Sequence, residues 1–120
     1  MNQKFLLLLP TFIMAFVGGC SSYPDSAKGV AKAICKELKD TNLEGMKIYM
    51  SAEAILQMKE RRKYLDEFFK SPEFVMIKKG ADCNNPTQIK ELDHGRIKVY
   101  FGKDIKVKVK ELNGQWKMVI

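Results

Sequence analysis

The sequence predicts an α+β domain in which three N-terminal helices precede an antiparallel sheet of four to five strands. Three observations carry that prediction. Apolar residues recur at helical spacing over residues 27–69. After Pro72 the pattern turns to alternation, clearest over residues 96–101 and 105–112. Between the last two alternating runs lies Asn113-Gly114, the strongest short-range hairpin signal. With 120 residues in all, the chain has room for one such domain, placed at residues 26–120.

Asp25 or Ser26 caps the first helix, predicted to run to about residue 40. Ala27, Val30, Ala31, Ile34, Cys35 and Leu38 share its buried face, and Lys28, Lys32, Lys36 and Lys39 occupy the opposite, solvated one. Thr41-Asn42-Leu43-Glu44 matches a capping box and opens a short second helix through Leu43, Met46, Tyr49 and Met50. Ser51 caps a third helix over residues 52–70, which buries Ile55, Met58, Leu65 and Phe69 until Ser71-Pro72 stops it. The basic cluster at residues 59–63 is its exposed middle. Met46, Met50, Met58 and Met76 read as adaptable core filler, not as metal ligands.

Beyond Pro72, Phe74-Val75-Met76-Ile77 reads as a strand, followed by a loop over residues 80–86 that contains Cys83. A short, weakly patterned strand is predicted over residues 87–92. The last three strands fix their own register, because a slip of one residue would send every side chain to the other face. The Asn113-Gly114 turn sets Val109 opposite Met118 and Val107 opposite Ile120, with Trp116 on the same face. A three-residue Gly102-Lys103-Asp104 loop sets Phe101 opposite Ile105, Val99 opposite Val107 and Ile97 opposite Val109. One sheet face then carries Ile97, Val99, Phe101, Ile105, Val107, Val109, Trp116, Met118 and Ile120. The other carries Arg96, Lys98, Tyr100, Lys106, Lys108, Lys110 and Lys117. Such a sheet packs helices on its apolar side and faces water on the other.

Ahead of the domain stands a different kind of segment. Met1-Asn2-Gln3-Lys4 is a short, positively charged start, and Phe5 to Val17 holds 11 apolar residues in 13. That run is apolar on every face and contains Pro10, which suits a core helix poorly. It also falls short of the roughly 18 to 20 residues that cross a membrane. Residues 1–19 therefore read as an export signal ending in the small pair Gly18-Gly19. Val17-Gly18-Gly19-Cys20 resembles the lipobox of bacterial lipoproteins: an aliphatic residue, two small ones, then cysteine. That resemblance implies cleavage before Cys20 and attachment of a diacylglyceryl group to its thiol, with residues 20–25 as a short tether. Two or three acyl chains anchor a protein stably, at about 0.8 kcal/mol per buried methylene. Ser21, not Asp, follows the cysteine, which in Gram-negative sorting implies the outer membrane, facing the periplasm.

Cleavage would remove Lys4 and leave 20 Lys+Arg against 14 Asp+Glu, a net +6. It would also divide the three cysteines. With Cys20 acylated, Cys35 and Cys83 remain, and an oxidising compartment favours joining them, with two separate buried thiols as the alternative.

The order helix, short helix, helix, then a curled meander ending at a Trp-bearing strand resembles the nuclear transport factor 2-like (cystatin-like) superfamily. It is similar in particular to small bacterial lipoproteins that carry a domain of unknown function of that type. The residues behind the likeness are Ala27-x-x-Val30-Ala31-x-x-Ile34-Cys35-x-x-Leu38, Asp40-x-x-Leu43-x-x-Met46-x-x-Tyr49, and Trp116-x-Met118-Val119 after Asn113-Gly114. The resemblance implies a curved sheet forming a cone whose interior can hold a small ligand. It implies no activity, because fold does not set function.

The search for chemistry is short. Every inward position of the three clearest strands is apolar, which argues against a catalytic cavity and against an enzyme. His94, the only histidine, sits in Asp93-His94-Gly95, which reads more simply as a turn. It cannot complete a metal site with Cys35 and Cys83, and no Gly-rich loop offers a phosphate cradle, so no cofactor is expected. Tyr49, Tyr64 and Tyr100 could mark a pocket mouth, although packing explains them as well. The remaining feature is the outward lysine face of Lys98, Lys106, Lys108, Lys110 and Lys117. It reads either as protection against edge aggregation or as a surface for an anionic envelope component or acidic protein. Nucleic acid is a poor match for a face with little Arg and one aromatic. The expectation is a lipid-anchored binding module, with a small-ligand carrier using the cone interior as the alternative.

Overall fold

A computed structural model describes residues 22–120. Its elements are α1 (Ala27–Lys39), α2 (Leu43–Lys47), α3 (Ala52–Glu60), α4 (Arg62–Phe69), α5 (Pro72–Gly80), β1 (Gln88–Glu91), β2 (Arg96–Phe101), β3 (Ile105–Leu112) and β4 (Gln115–Met118). The class is α+β. The four strands form one antiparallel meander in the order β1-β2-β3-β4.

The registers of the last three strands are those the alternation demands. Phe101 faces Ile105, Val99 faces Val107, Ile97 faces Val109 and Val109 faces Met118. Asn113 (φ 51°) and Gly114 (φ 84°) are both left-handed, as a two-residue turn matched to strand twist requires. Val99, Phe101, Ile105, Val107 and Val109 are buried against Val30, Ala31, Ile34 and Cys35 of α1. Each such fully buried aliphatic or aromatic side chain contributes roughly 1.5–3 kcal/mol. The apolar side of the sheet is therefore filled by α1. The expected Val107–Ile120 pair lies past the end of β4, and Ile120 is exposed.

Along its far side, β4 is bound by the chain between α2 and α3. Met118 N–H donates to Tyr49 O (2.7 Å), Ser51 N–H donates to Met118 O (2.9 Å), and Met50 bridges Met118 in parallel. Cys35 and Cys83 form a disulfide with Cα atoms 5.5 Å apart, tying α1 to the loop between α5 and β1. Lys39 reinforces that tie by donating to Ala81 O at 2.7 Å.

Two expectations are corrected. Residues 74–77 are not a strand but the centre of α5. Ser71 is its N-cap, accepting from Phe74 N–H. Pro72 stands at the first helical position, Glu73 in the first turn and Lys78 and Lys79 in the last. Proline there starts a helix as readily as it ends the one before, because its missing N–H has no intrahelical partner. The helical turn sends Phe74 into the core, whereas Val75 and Met76 face outward at 47% and 67% exposure, so Met76 is not core filler. The second correction is the predicted third helix, which is two helices broken at Arg61 (φ −106°, ψ 15°). Arg61 shares its N–H between the carbonyls of Gln57 and Met58, a helix-end arrangement, and no Pro or Gly marks the spot. Five helices thus stand where three were expected.

Candidate functional site

The outward face of the sheet is built by strand alternation alone. In β2 and β3 every second residue enters the core, so the residues between them are driven outward together. Pairing then aligns the cations in rows. Lys90, Lys98 and Lys108 form one row across β1, β2 and β3, and Arg96, Lys110 and Lys117 form the next across β2, β3 and β4. Lys106 stands opposite Tyr100 at the neighbouring position. The structure therefore brings together all five lysines singled out from the sequence and adds Lys90, whose phase became visible only once β1 was paired.

Four directly opposed pairs are like-charged: Lys90–Lys98, Lys98–Lys108, Arg96–Lys110 and Lys110–Lys117. Such pairs are destabilising by a few tenths of a kcal/mol each. No carboxylate offsets them from within the strands, since Glu91 and Glu111 pair with Ile97 and Trp116 in the opposite phase. Among the described residues the ion pairs are Lys47–Glu44 and Arg62–Asp66, both on helices. Glu53 of α3 borders a shallow hollow together with Arg96 and Lys110. Lys98 Nζ lies 5.6 Å from the centre of the Tyr100 ring, the one aromatic on this face.

At the β4 end the face meets the start of the described chain. Tyr23 donates its hydroxyl proton to Trp116 O, and its ring centre lies 5.5 Å from that of Tyr49. Lys117 Nζ sits 5.0 Å over the Tyr23 ring and donates to Ile48 O at 3.0 Å. Partial burial, with Tyr49 second, pushes the Tyr23 phenol above its ordinary pKa. The sequence carried no signal for this clamp, whose partners lie 93 residues apart.

The other sequence candidates are dispersed. Cys20 and the segment before it lie outside the described residues. Tyr64 is exposed on α4 and stacks on Phe68, far in sequence and role from Tyr49 and Tyr100. His94 is exposed in a 3₁₀ turn at φ 63°. An apolar groove of about 230 Å³ lies among the helices, with Met46, Met50, Met58, Leu65, Phe69 and Ile120 in its walls. Gln57 and Arg61 are the polar side chains lining it, and nothing there is arranged for proton transfer. Among the described residues no cluster of three or more His, Cys, Asp or Glu could hold a metal, and no helix is long and apolar enough to cross a membrane.

No family model matches the chain, and neither a curated protein nor a solved structure matches it.

Proposed function

We propose that this protein is a lipid-anchored cell-envelope lipoprotein, held through acylated Cys20. In this reading its α+β domain is a non-enzymatic binding module that turns the basic sheet face toward an anionic envelope partner. The observation that carries it is the set of four opposed like-charge pairs with no strand carboxylate to relieve them. A sheet surface selected for stability alone would alternate signs, because opposite charges across strands stabilise where these repel. An arrangement that costs stability and concentrates positive potential supports a role in meeting negative charge. The export signal and lipobox support the location. Helices stacked on one side of a four-strand meander support the cystatin-like cone as the fold family.

The test has two parts. Cys20→Ala should abolish acylation and release the protein from membranes; unchanged detergent partition would sink the anchor. Crosslinking through the exposed Lys106 in intact envelopes should attach an anionic component, and a Lys98→Glu/Lys108→Glu variant should lose it. Equal crosslinking in the variant would remove the basic face from the function.

The groove among the helices favours a second reading, a carrier of a small apolar ligand. It differs from the carrier expected from the sequence, because α1 fills the middle of the sheet's apolar face and the free space lies at its β4 end, between Met118 and the helices. Release of a tightly held apolar molecule on denaturing the purified protein would support it.

A further inference from the structure

Resting on the anchored reading, we infer that the partner of the basic face is the phosphate-bearing headgroup layer of the same membrane, and that the Tyr23 clamp sets the face against it. Three peptide units separate Cys20 from Tyr23, a reach of at most about 11 Å. Tyr23 is not free to drift. Its hydroxyl is bonded to the Trp116 carbonyl, and its ring lies between Tyr49 and the Lys117 ammonium. The chain thus leaves the domain beside β4, on the rim of the cation rows.

Lys117 Nζ is 5.0 Å from the centre of the Tyr23 ring, so with the length of the tyrosine side chain included the first cation of the face stands within about 20 Å of the acylated residue. From there the row continues through Lys110 to Arg96 at strand spacing, about 4.8 Å per step. An anionic leaflet acts over a Debye length of about 8 Å at physiological salt. Tilting of the domain about this tether brings the face within that field.

The chemistry of the face also selects a lipid surface over an acidic protein. Six of its seven cations are lysines and one is arginine. Arginine suits bidentate, geometry-specific recognition of a carboxylate, whereas lysine acts as a compact point charge. Rows of point charges on an open sheet match a laterally fluid phosphate layer, which has no fixed pattern to read.

The experiment uses the full lipidated protein in two kinds of vesicle: phosphatidylcholine alone, and phosphatidylcholine mixed with phosphatidylglycerol. Lysine acetylation rates are read by mass spectrometry. In the anionic vesicles Lys98, Lys106, Lys108 and Lys110 should react about thirtyfold more slowly, the shift expected from engaging two lysines beside an anionic leaflet. Lys36, on the α1 face opposite the core and two turns away from the tether, should not change. The slowing should vanish at high salt and in Lys98→Glu/Lys108→Glu at the lysines that remain. Equal rates in both vesicles, with acylated protein floating with the lipid, would overturn this inference alone. Absence of an acyl mass on Cys20 in the same spectra would overturn the anchor and the inference together. Protection in intact envelopes but not in protein-free anionic vesicles would overturn the lipid assignment and identify an acidic protein.

Discussion

Replacing Lys98 by glutamate should make the isolated domain more stable while weakening its hold on an anionic surface. Lys98 stands between Lys90 and Lys108 in one cross-strand row. The substitution converts two repulsive pairs into two attractive ones. At about 0.3 kcal/mol for each repulsion lost and each attraction gained, the total is near 1.2 kcal/mol. Losing the Lys98 ammonium from above the Tyr100 ring returns about 0.5 kcal/mol, the usual size of an exposed contact of that kind. The net gain is about 0.7 kcal/mol, or a rise in melting temperature of roughly 3–5 °C for a domain of about 100 residues. Thermal unfolding of a chain beginning at Ser22, at low ionic strength, measures it directly. Lys98→Gln, which relieves both repulsions but gains no attraction and also loses the ring contact, should leave stability within about 0.1 kcal/mol of the parent. In 1 M salt, where the screening length shrinks to about 3 Å, most of the advantage should disappear. A Lys98→Glu protein less stable than the parent at low salt would refute the reasoning, as would a gain unchanged by salt. Either result would mean that the lysines of this row splay apart and do not feel one another.

Three other outcomes are expected. Cys35→Ala/Cys83→Ala should cost about 4 kcal/mol by the loop-entropy model, read by urea unfolding; a loss under 1 kcal/mol would mean the reduced chain is already held compact. Spectrophotometric titration should place the Tyr23 phenol above its ordinary value of about 10. Because the folded value is raised, its stabilisation is complete below the unfolded pKa and is lost as pH climbs through the folded one; Tyr23→Phe should flatten stability in that alkaline window. Ser71→Ala removes the oxygen that caps α5 and should cost about 1 kcal/mol in unfolding experiments, with the largest rise in amide exchange in residues 73–76.

The sheet was legible because two constraints agree at each position. Val99, Val107 and Val109 need one face, and the Asn113-Gly114 turn permits one register, so the phase of every neighbouring lysine follows. The helical half gave less. Phe74-Val75-Met76-Ile77 is too short to show its period, and Ser71-Pro72 is a stop for α4 as well as a cap for α5. Only packing decides, through Phe74, which lies 5.0 Å and 5.5 Å from the rings of Phe69 and Phe68. The break at Arg61 has no local cause in composition. Of the candidate surface, the lysines were visible from alternation, Lys90 needed the pairing of a weakly patterned strand, and the Tyr23 clamp needed the tertiary fold. Long-range hydrogen bonds to backbone carbonyls leave no trace in residue type.

The strap of residues 49–51 along β4 has a consequence for assembly. With that side of the sheet already bonded, growth by strand addition is possible only at β1, where Ile89 is half exposed and no described strand lies beyond. Two copies can join β1 to β1 around a two-fold axis, and that pairing uses the open site of both. A third copy finds nothing to extend. Among the described residues the sheet is one-ended, so strand addition can close it into a dimer but cannot extend it further.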